Sequence, residues 1–582
     1  MEGMERRVLL AIVLAFLVLY AYQALVIRPV QKPAASAPSA QGGQGALPSG
    51  GSPKATPETA AVSAAAPSPP ASTAEMVVGE NTERDIRVET SRVIAIFTNR
   101  GARLRSWRLK GYRDAQQQPL ELIANDLPAG GVLPFGLLVD DEGVTRTLDS
   151  ALFAVKESPQ TTGAITGTAH LSFEFRDSAG VHALKEFSLE PSSYVLTFSS
   201  SVSVGERAFS PTIVWGPALG DVDAGSARYA VKPRGLMSVA NAVQRVAAAD
   251  VAKQSTYAGD YQFAGVDDHY FLTSALNPGR STVSFQPLSI PAPAESKSPG
   301  RDLMSYAIRR EKTDATRFFI GPKDFNELAA IDTALPRAID FGRFSYVVIS
   351  LLRALNWIHG YIGNYGWAII VLTVLINAAM FPLRHKSVVS MRKMQEIQPE
   401  AKRIQDRYAK LKSTDPAKQK MNEELMALYR ERGVNPASGC VPMLLTMPVL
   451  FAFYALLTTA IELRGAPFFG WIHDLSLPDP YYVTPVLMGI SQLWQTRITP
   501  QAGTDPTQQK MMMFMPVMFM FFFLWAPAGV AIYWLVSNVW AIGQQYLTNY
   551  LIGPPNIRSP RPPAERRVKR VGTGEAGAAA RE

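Results

Sequence analysis

Met380-Phe381-Pro382-Leu383-Arg384 ends one apolar run, and Asn435-Pro436-Ala437-Ser438-Gly439-Cys440 opens the next. A strongly charged stretch of about 50 residues lies between them. A charged arm of that size between two apolar spans is a device held at a membrane surface. It sets the fold class as a polytopic α-helical membrane protein.

Working outward, apolar runs of spanning length occupy Gly363–Leu383 before the arm and Val441–Ile461 after it. Tyr481–Thr496, Met511–Ala526 and Gly529–Tyr550 follow. Val8 to Ile27 is a further run near the N-terminus, of about 20 residues, the length that crosses a hydrocarbon core. Arg6 and Arg7 precede it and keep its start in the cytoplasm. It is long for a signal peptide, and the small residues Ala34-Ala35-Ser36-Ala37 lie well beyond its end. Residues 1–28 therefore read as an uncleaved transmembrane anchor. The expectation is six spans with both termini cytoplasmic.

The loop charges agree. The arm carries Arg384, Lys386, Arg392, Lys393, Lys402, Arg403, Arg407 and further basic residues, roughly twice its acids. The tail, 551–582, carries Arg566, Arg567, Lys569 and Arg570. The opposite loop, Glu462–Pro480, has Arg464 as its only Lys or Arg. The net charge of +9 thus sits beside the spans, which points to anionic lipid rather than nucleic acid.

Residues 29–75 are rich in Ala, Pro, Ser and Gly and read as a flexible tether. From 76 to 337 short period-two runs recur between turn residues, as in Arg92-Val93-Ile94-Ala95-Ile96-Phe97 and Tyr194-Val195-Leu196-Thr197-Phe198. They predict a large extracytoplasmic β-sandwich. Residues 338–362 place Phe344, Val348, Leu351, Leu352, Leu355 and Ile358 at helical spacing, an amphipathic helix at the interface. A membrane core over 363–550 includes the cytoplasmic hairpin 384–434. The hairpin's two helical stretches, about Lys386–Leu411 and Pro416–Arg432, have Asp415 as N-cap between them and Gly433 as the stop. The bland reading of the hairpin is a solvated connector. Its length favours a docking arm for cytoplasmic partners or an incoming chain, with Arg392, Lys393, Arg403 and Arg407 as contacts.

Inside the spans, Thr373 and Asn377 share one helix face. Trp534, Asn538, Ala541 and Gln545 form a similar stripe in the last span, and Gln492 and Gln495 add amides in the fourth. An unsatisfied amide in hydrocarbon costs on the order of 2–7 kcal/mol, so these residues face water or a partner. Interhelical hydrogen bonding and a hydrated groove both meet that need. The groove reading assigns Thr373, Asn377, Gln492, Trp534 and Asn538 as its lining. The fourth and fifth spans, about 16 residues each, cover roughly 24 Å of a core of about 30 Å, so they thin the bilayer. Met447, Met515 and Met518 offer a flexible apolar slide for varied segments, against the plainer reading of lipid-facing bulk.

The chain contains no Gly-x-x-x-x-Gly-Lys loop, no His-Glu-x-x-His and no Gly-x-Ser-x-Gly. None of its six histidines pairs at metal-ligand spacing, and its single cysteine, Cys440, forms no internal disulfide. Asp267-Asp268-His269 reads as a polar loop before a strand. The expectation is no catalytic residue, no metal and no cofactor.

The region from about Phe341 to Tyr550 resembles the YidC/Oxa/Alb family of membrane protein insertases, in its Gram-negative YidC form. The matching stretches are Gly321-Pro322-Lys323-Asp324, Ile339-Asp340-Phe341-Gly342, Gly363-Asn364-Tyr365-Gly366, Met447-Pro448, Trp471-Ile472-His473-Asp474-Leu475, Asp479-Pro480-Tyr481-Tyr482 and Ser537-Asn538. The outer domain matches more loosely through Trp215-Gly216-Pro217. The resemblance implies a five-helix core with a hydrophilic groove open to cytoplasm and lipid but closed outside. It also implies a β-supersandwich outer domain, a mobile hairpin, and insertion of nascent membrane proteins into a bacterial inner membrane, alone or with the Sec translocon. The ribosome and the signal recognition machinery are the cytoplasmic partners such a family admits, and ribosomal RNA is the one nucleic acid in view. One departure stands out: the groove arginine of many members falls at Asn377 here, while Thr373 matches a groove threonine and Trp534 stands where some members have tyrosine. A secondary solute transporter, and a carbohydrate-binding outer domain on a membrane anchor, are the alternative functions.

Overall fold

The computed structural model describes residues 75–114, 116–124, 132–159, 163–216, 231–290, 301–312, 314–408, 417–434, 441–499 and 506–553. The expected anchor 1–28, nearly all of the tether, the hairpin cap Asp415, Cys440 and the tail beyond 553 lie outside them.

Between Met76 and Pro322 the chain is antiparallel β-structure, as the alternating runs predict. Strands Asp85–Glu89, Val93–Thr98, Arg103–Arg113 and Pro119–Glu121 form a four-stranded sheet. The larger sheet has 14 strands. Its spine runs Met76–Val78, Ala169–Asp177, Val181–Leu189, Val195–Val204, Thr316–Pro322, Phe271–Ile290, Thr256–Asp267, Arg234–Val239 and Ala242–Val246. Alternate residues turn inward, as at Val181–Leu189, so every second side chain meets the opposing sheet. Helices α1 (Glu142–Ser150) and α2 (Ala248–Val251) lie in the connections. Phe135 centres the core, within 5.3 Å of the rings of Phe187, Phe198, Trp215 and Phe318.

Lys185 is buried in that core. Its Nζ donates to the carbonyls of Gly101 at 2.6 Å and Phe135 at 2.8 Å. Burial pushes the ammonium down to about 7, with Arg103 adding repulsion. The unfolded chain keeps that proton up to about 10.5. Stability is therefore lowest below pH 7 and rises with pH between about 7 and 10.5, by at most about 1.4 kcal/mol per unit. Lys185→Met removes the titration. Urea midpoints read from fluorescence of the buried Trp107 and Trp215 at pH 7 and 9 should show wild type gaining on the variant. An unchanged difference would show the carbonyls hold the charge unaided.

Helix α3 (Phe325–Ile331) starts on Asp324, whose carboxylate accepts from the amides of Asn326 and Glu327. Helix α4 (Ser345–Ile362) buries Val348, Leu352, Leu355 and Ile358 on one face, and leaves Tyr346, Trp357 and Tyr361 exposed. Gly363 ends it at φ 71°, a left-handed cap that glycine adopts without strain. Asn364 then starts α5 (Tyr365–Arg407) by accepting from the amide of Trp367.

Helix α5 departs from the sequence reading. The apolar run and the first hairpin arm form one helix of 43 residues, about 65 Å long. Pro382 and Pro399 lie inside it. Each proline removes one backbone donor, and the helix continues past both. Helices α6 (Ala417–Glu431), α7 (Val441–Thr459), α8 (Val483–Ile498), α9 (Pro506–Phe523) and α10 (Ala528–Ile552) complete the helical region. Helix α10 packs between α5 and α8, α9 packs on α8, and α4 lies against α5 and α7. By length and composition, one described helix, α5, is long and apolar enough to cross a membrane; Met447–Thr459 and Met513–Phe523 are shorter apolar stretches.

The β-domain touches the helices at named points. His269 Nε2 lies 2.9 Å from the carbonyl oxygen of Thr458, in the last turn of α7. The Arg464 guanidinium lies 5.2 Å from the ring centres of both Tyr270 and Phe271.

Candidate functional site

A cavity of about 320 Å³ opens among α5, α7, α8 and α10. That is room for on the order of ten waters. Four of the five groove residues named from sequence line it: Asn377, Gln492, Trp534 and Asn538. Apolar wall is supplied by Ile376, Met380, Leu450 and Ala541.

Each polar group is held in place. Asn377, 4% exposed, donates from Nδ2 to the carbonyl of Thr373 at 2.8 Å. Asn538 donates to Ser491 Oγ at 3.1 Å and to the Met488 carbonyl at 3.3 Å. Gln492 Oε1 accepts from Trp534 Nε1 at 3.0 Å. The Trp534 ring is wedged against Phe519 and Phe523, at 5.8 and 5.1 Å between centres. Toward the β-domain the cavity ends on buried apolar packing. Tyr533 stacks on Phe453 at 4.2 Å, and Leu372, Met488 and Ile532 are buried beyond.

Thr373 is placed differently. It is fully buried, does not line the cavity, and donates from Oγ1 to the carbonyl of Ile369 at 2.6 Å. A threonine in a helix satisfies itself in this way. Its own carbonyl instead orients Asn377.

Arg384 is the residue the sequence reading missed. Its guanidinium donates to Asn377 Oδ1 at 2.9 Å, and among the described residues it is the one charged side chain lining the cavity. Its Cα lies about 10.5 Å further along α5 than that of Asn377. Helical side chains lean toward the N-terminus of their helix, so the long arginine reaches back two turns. A cation therefore stands at Asn377 although no cation is encoded there.

The methionines divide. Met515 and Met518 stand on the exposed face of α9, 40% and 41% exposed, and Met447 is half-buried on α7. None of the three lines the cavity.

The four hairpin cations also divide. Arg392 is buried, and its guanidinium donates to the carbonyl of Gly553 and to Asn549 Oδ1. It caps the C-terminal end of α10, where a cation is favoured, and so faces inward rather than toward a partner. Arg407 pairs with Glu424 at 2.7 Å, tying α5 to α6, and Arg432 pairs with Glu400 at 2.9 Å. Lys393 and Arg403 remain on the exposed face.

Comparison with known proteins gives concordant results along the chain. Residues 357–553 match the family model described as 60Kd inner membrane protein, and residues 85–353 match the YidC periplasmic domain. A membrane protein insertase YidC from Syntrophus aciditrophicus (strain SB) is 32% identical over 565 residues, 94% of this chain and 99% of the relative. Another from Geobacter metallireducens is 34% identical over 567 residues, 94% of this chain and 98% of the relative. A solved structure, an active YidC insertase with its first transmembrane domain resolved, covers 82% of this chain at 18% identity with a TM-score of 0.34. The matched models together cover the β-domain and the helical region, and the relatives match almost end to end: the chain belongs to the YidC family of membrane protein insertases.

Proposed function

We propose that this chain inserts nascent membrane proteins into a bacterial inner membrane without chemical catalysis. The observation that carries the reading is the amide-lined cavity with Arg384 at its centre. The relatives' names favour insertion over solute transport and over a sugar-binding role for the outer domain.

In this reading six spans cross the membrane, both termini are cytoplasmic, and α5, α7, α8, α9 and α10 form the core. The cavity opens on the hairpin side, which the basic residues place in the cytoplasm. The polar flank of a substrate enters it and is solvated by Asn377, Gln492 and Asn538 beside Arg384. The apolar segment passes Met515, Met518 and Trp534 into lipid. Hydrophobic partitioning drives that step, at roughly 25 cal/mol per Å² of apolar surface removed from water. Helix α8, with 16 residues, spans about 24 Å of a core of about 30 Å, which shortens the polar path. Lys393 and Arg403 present positive charge to anionic lipid or to a cytoplasmic partner such as the ribosome; the Sec translocon is a second partner of this kind.

The direct test is reconstitution of the purified chain in liposomes with a one-span substrate. Insertion with no partner added is the expected result, and its failure would remove autonomous activity. A sharper test is Asn377→Leu. Loss of the carbonyl that holds Arg384 removes a hydrogen bond to a charged group, about 1.5–3 kcal/mol. Insertion should fall about ten-fold for substrates with charged flanks and less for neutral ones. Equal loss for both would leave Asn377 a packing residue.

A further inference from the structure

Polar contacts join α5 to α10 along their shared length. Asn377 Nδ2 lies 3.5 Å from Ser537 Oγ, and Gln544 donates to the carbonyl of Phe381 at 3.3 Å. His385 Nδ1 lies 3.2 Å from Thr548 Oγ1. Further along, Arg392 donates to the carbonyl of Gly553 and to Asn549 Oδ1. The numbers rise together on both helices, so the two run parallel. Val388 and Gln545 are the last residues of α5 and α10 that line the cavity. Arg392 and Asn549 each follow by four residues, about one turn. Arg392 therefore closes the seam between the two helices just past the cavity.

This contact differs in kind from the others. The guanidinium is a rigid fork, so two bonds to two acceptors fix orientation as well as distance. It is 7% exposed, and a buried cation keeps its acceptors or leaves for water, so the contact has no half-made form. Beyond it α5 changes partner. Glu400 pairs with Arg432 at 2.9 Å, Arg407 with Glu424 at 2.7 Å, and Tyr408 Oη donates to Glu424 at 2.7 Å. These tie α5 to the second arm of the hairpin rather than to α10. Pro399 stands between Arg392 and these ties, and lacks the amide that would bond one turn back.

We infer that Arg392 is a positioning residue: it pins the base of the hairpin to α10, and the outer arm pivots as one unit between Arg392 and Pro399. The functional part rests on the reading of the chain as an insertase whose hairpin receives a partner or an incoming chain. An arm pinned at its base brings what it holds to one place, the end of the cavity beside Val388 and Gln545. An arm free from Arg384 onward would sweep past that place. The residue that sequence marks as a docking contact thus acts through α10, and the cations beyond the pivot are left to meet the partner.

The test uses the full chain in liposomes, with Cys440→Ser and spin labels at exposed positions. A base pair joins 393 to 551, and an outer pair joins 405 to 551. With Arg392 present, the base pair should give one narrow distance and the outer pair a broad one. Arg392→Ala should broaden the base pair, and Arg392→Lys, which keeps a charge for one acceptor, should restore part of the narrowing. Pro399→Ala should narrow the outer pair and leave the base pair as it was. On unlabelled protein, insertion of a one-span substrate should fall at least about three-fold in Arg392→Ala as the arm loses its pre-organisation, and recover in part in Arg392→Lys. If Arg392→Ala does not accumulate, Asn549→Ala, which leaves the Gly553 carbonyl, should broaden the base pair to a smaller extent. A base pair as broad as the outer pair, or unchanged by loss of Arg392, would overturn the pinning. An outer pair unmoved by Pro399→Ala would overturn the pivot. Full insertion beside a broadened base pair would overturn the positioning role. Failure of wild type to insert would overturn the insertase reading instead, and the distances, which need no substrate, would still decide the pinning.

Discussion

Arg384→Glu should cut insertion of a substrate with an acidic translocated flank by at least about ten-fold, and change a neutral-flank substrate by no more than about two-fold. The expectation follows from what stands in the cavity. The guanidinium is the one charge lining the cavity among the described residues, fixed at 2.9 Å from Asn377 Oδ1. Two unit charges about 4 Å apart interact by about 1 kcal/mol in water and about 4 kcal/mol at the effective dielectric of a protein surface. A wet cavity lies between those limits. Reversal turns attraction into repulsion, so the swing is about 2 kcal/mol or more, which exceeds one decade in rate. Arg384→Gln should fall between, since it keeps a donor for Asn377 and loses the charge. The effect should weaken in high salt as the cavity is screened. Insertion rates for a matched pair of substrates, at low and high salt, decide it. Equal loss of both substrates would mean that Arg384 only holds the helices in place.

That residue also shows where sequence reading stops. The buried face of α4 was legible, because Val348, Leu352, Leu355 and Ile358 recur at helical spacing and solvent leaves one solution for them. Asn377, Gln492 and Asn538 were legible for a similar reason: an amide at membrane depth has few places to go. Arg384 reads as a flanking charge in the sequence because spacing locates Cα atoms, while its guanidinium lies at the end of a long side chain that leans two turns back. Arg392 escaped in the same way, since its partner, the end of α10, is 157 or more residues distant in sequence. Spacing places Thr373 on the groove face, and its hydroxyl donates to the carbonyl of Ile369. The continuity of α5 through Pro382 was illegible because a proline's cost is local, and the packing of α10 along the same helix outweighs it.

Asp267→Ala should be the most destabilising single change in the β-domain, costing about 3–5 kcal/mol. Its sequence, Asp267-Asp268-His269, reads as a polar loop, yet Asp267 is fully buried. Lys323, 5% exposed, donates to its Oδ2 at 3.0 Å, and Arg234 donates to its Oδ1 at 3.2 Å. Arg234 and Arg245 both reach on to Asp340, at 3.4 and 3.6 Å, in the segment that leads into α4. Removing the carboxylate leaves buried Lys323 without its counter-charge, and leaves Arg234 with Asp340 alone. The damage should not stop at the domain. Asp268 Oδ1 accepts from the amides of Tyr270 and Phe271, fixing the turn that delivers His269 to Thr458 at the end of α7. A loosened turn would therefore loosen the contact between β-domain and helices. The discriminating measurement is a double-mutant cycle on urea midpoints. Asp267→Ala/Lys323→Met should recover a large part of the loss, because the second change removes the cation that the first stranded. Additive losses would show that the two side chains stabilise the fold independently, and that the pair is not what ties this end of the sheet together.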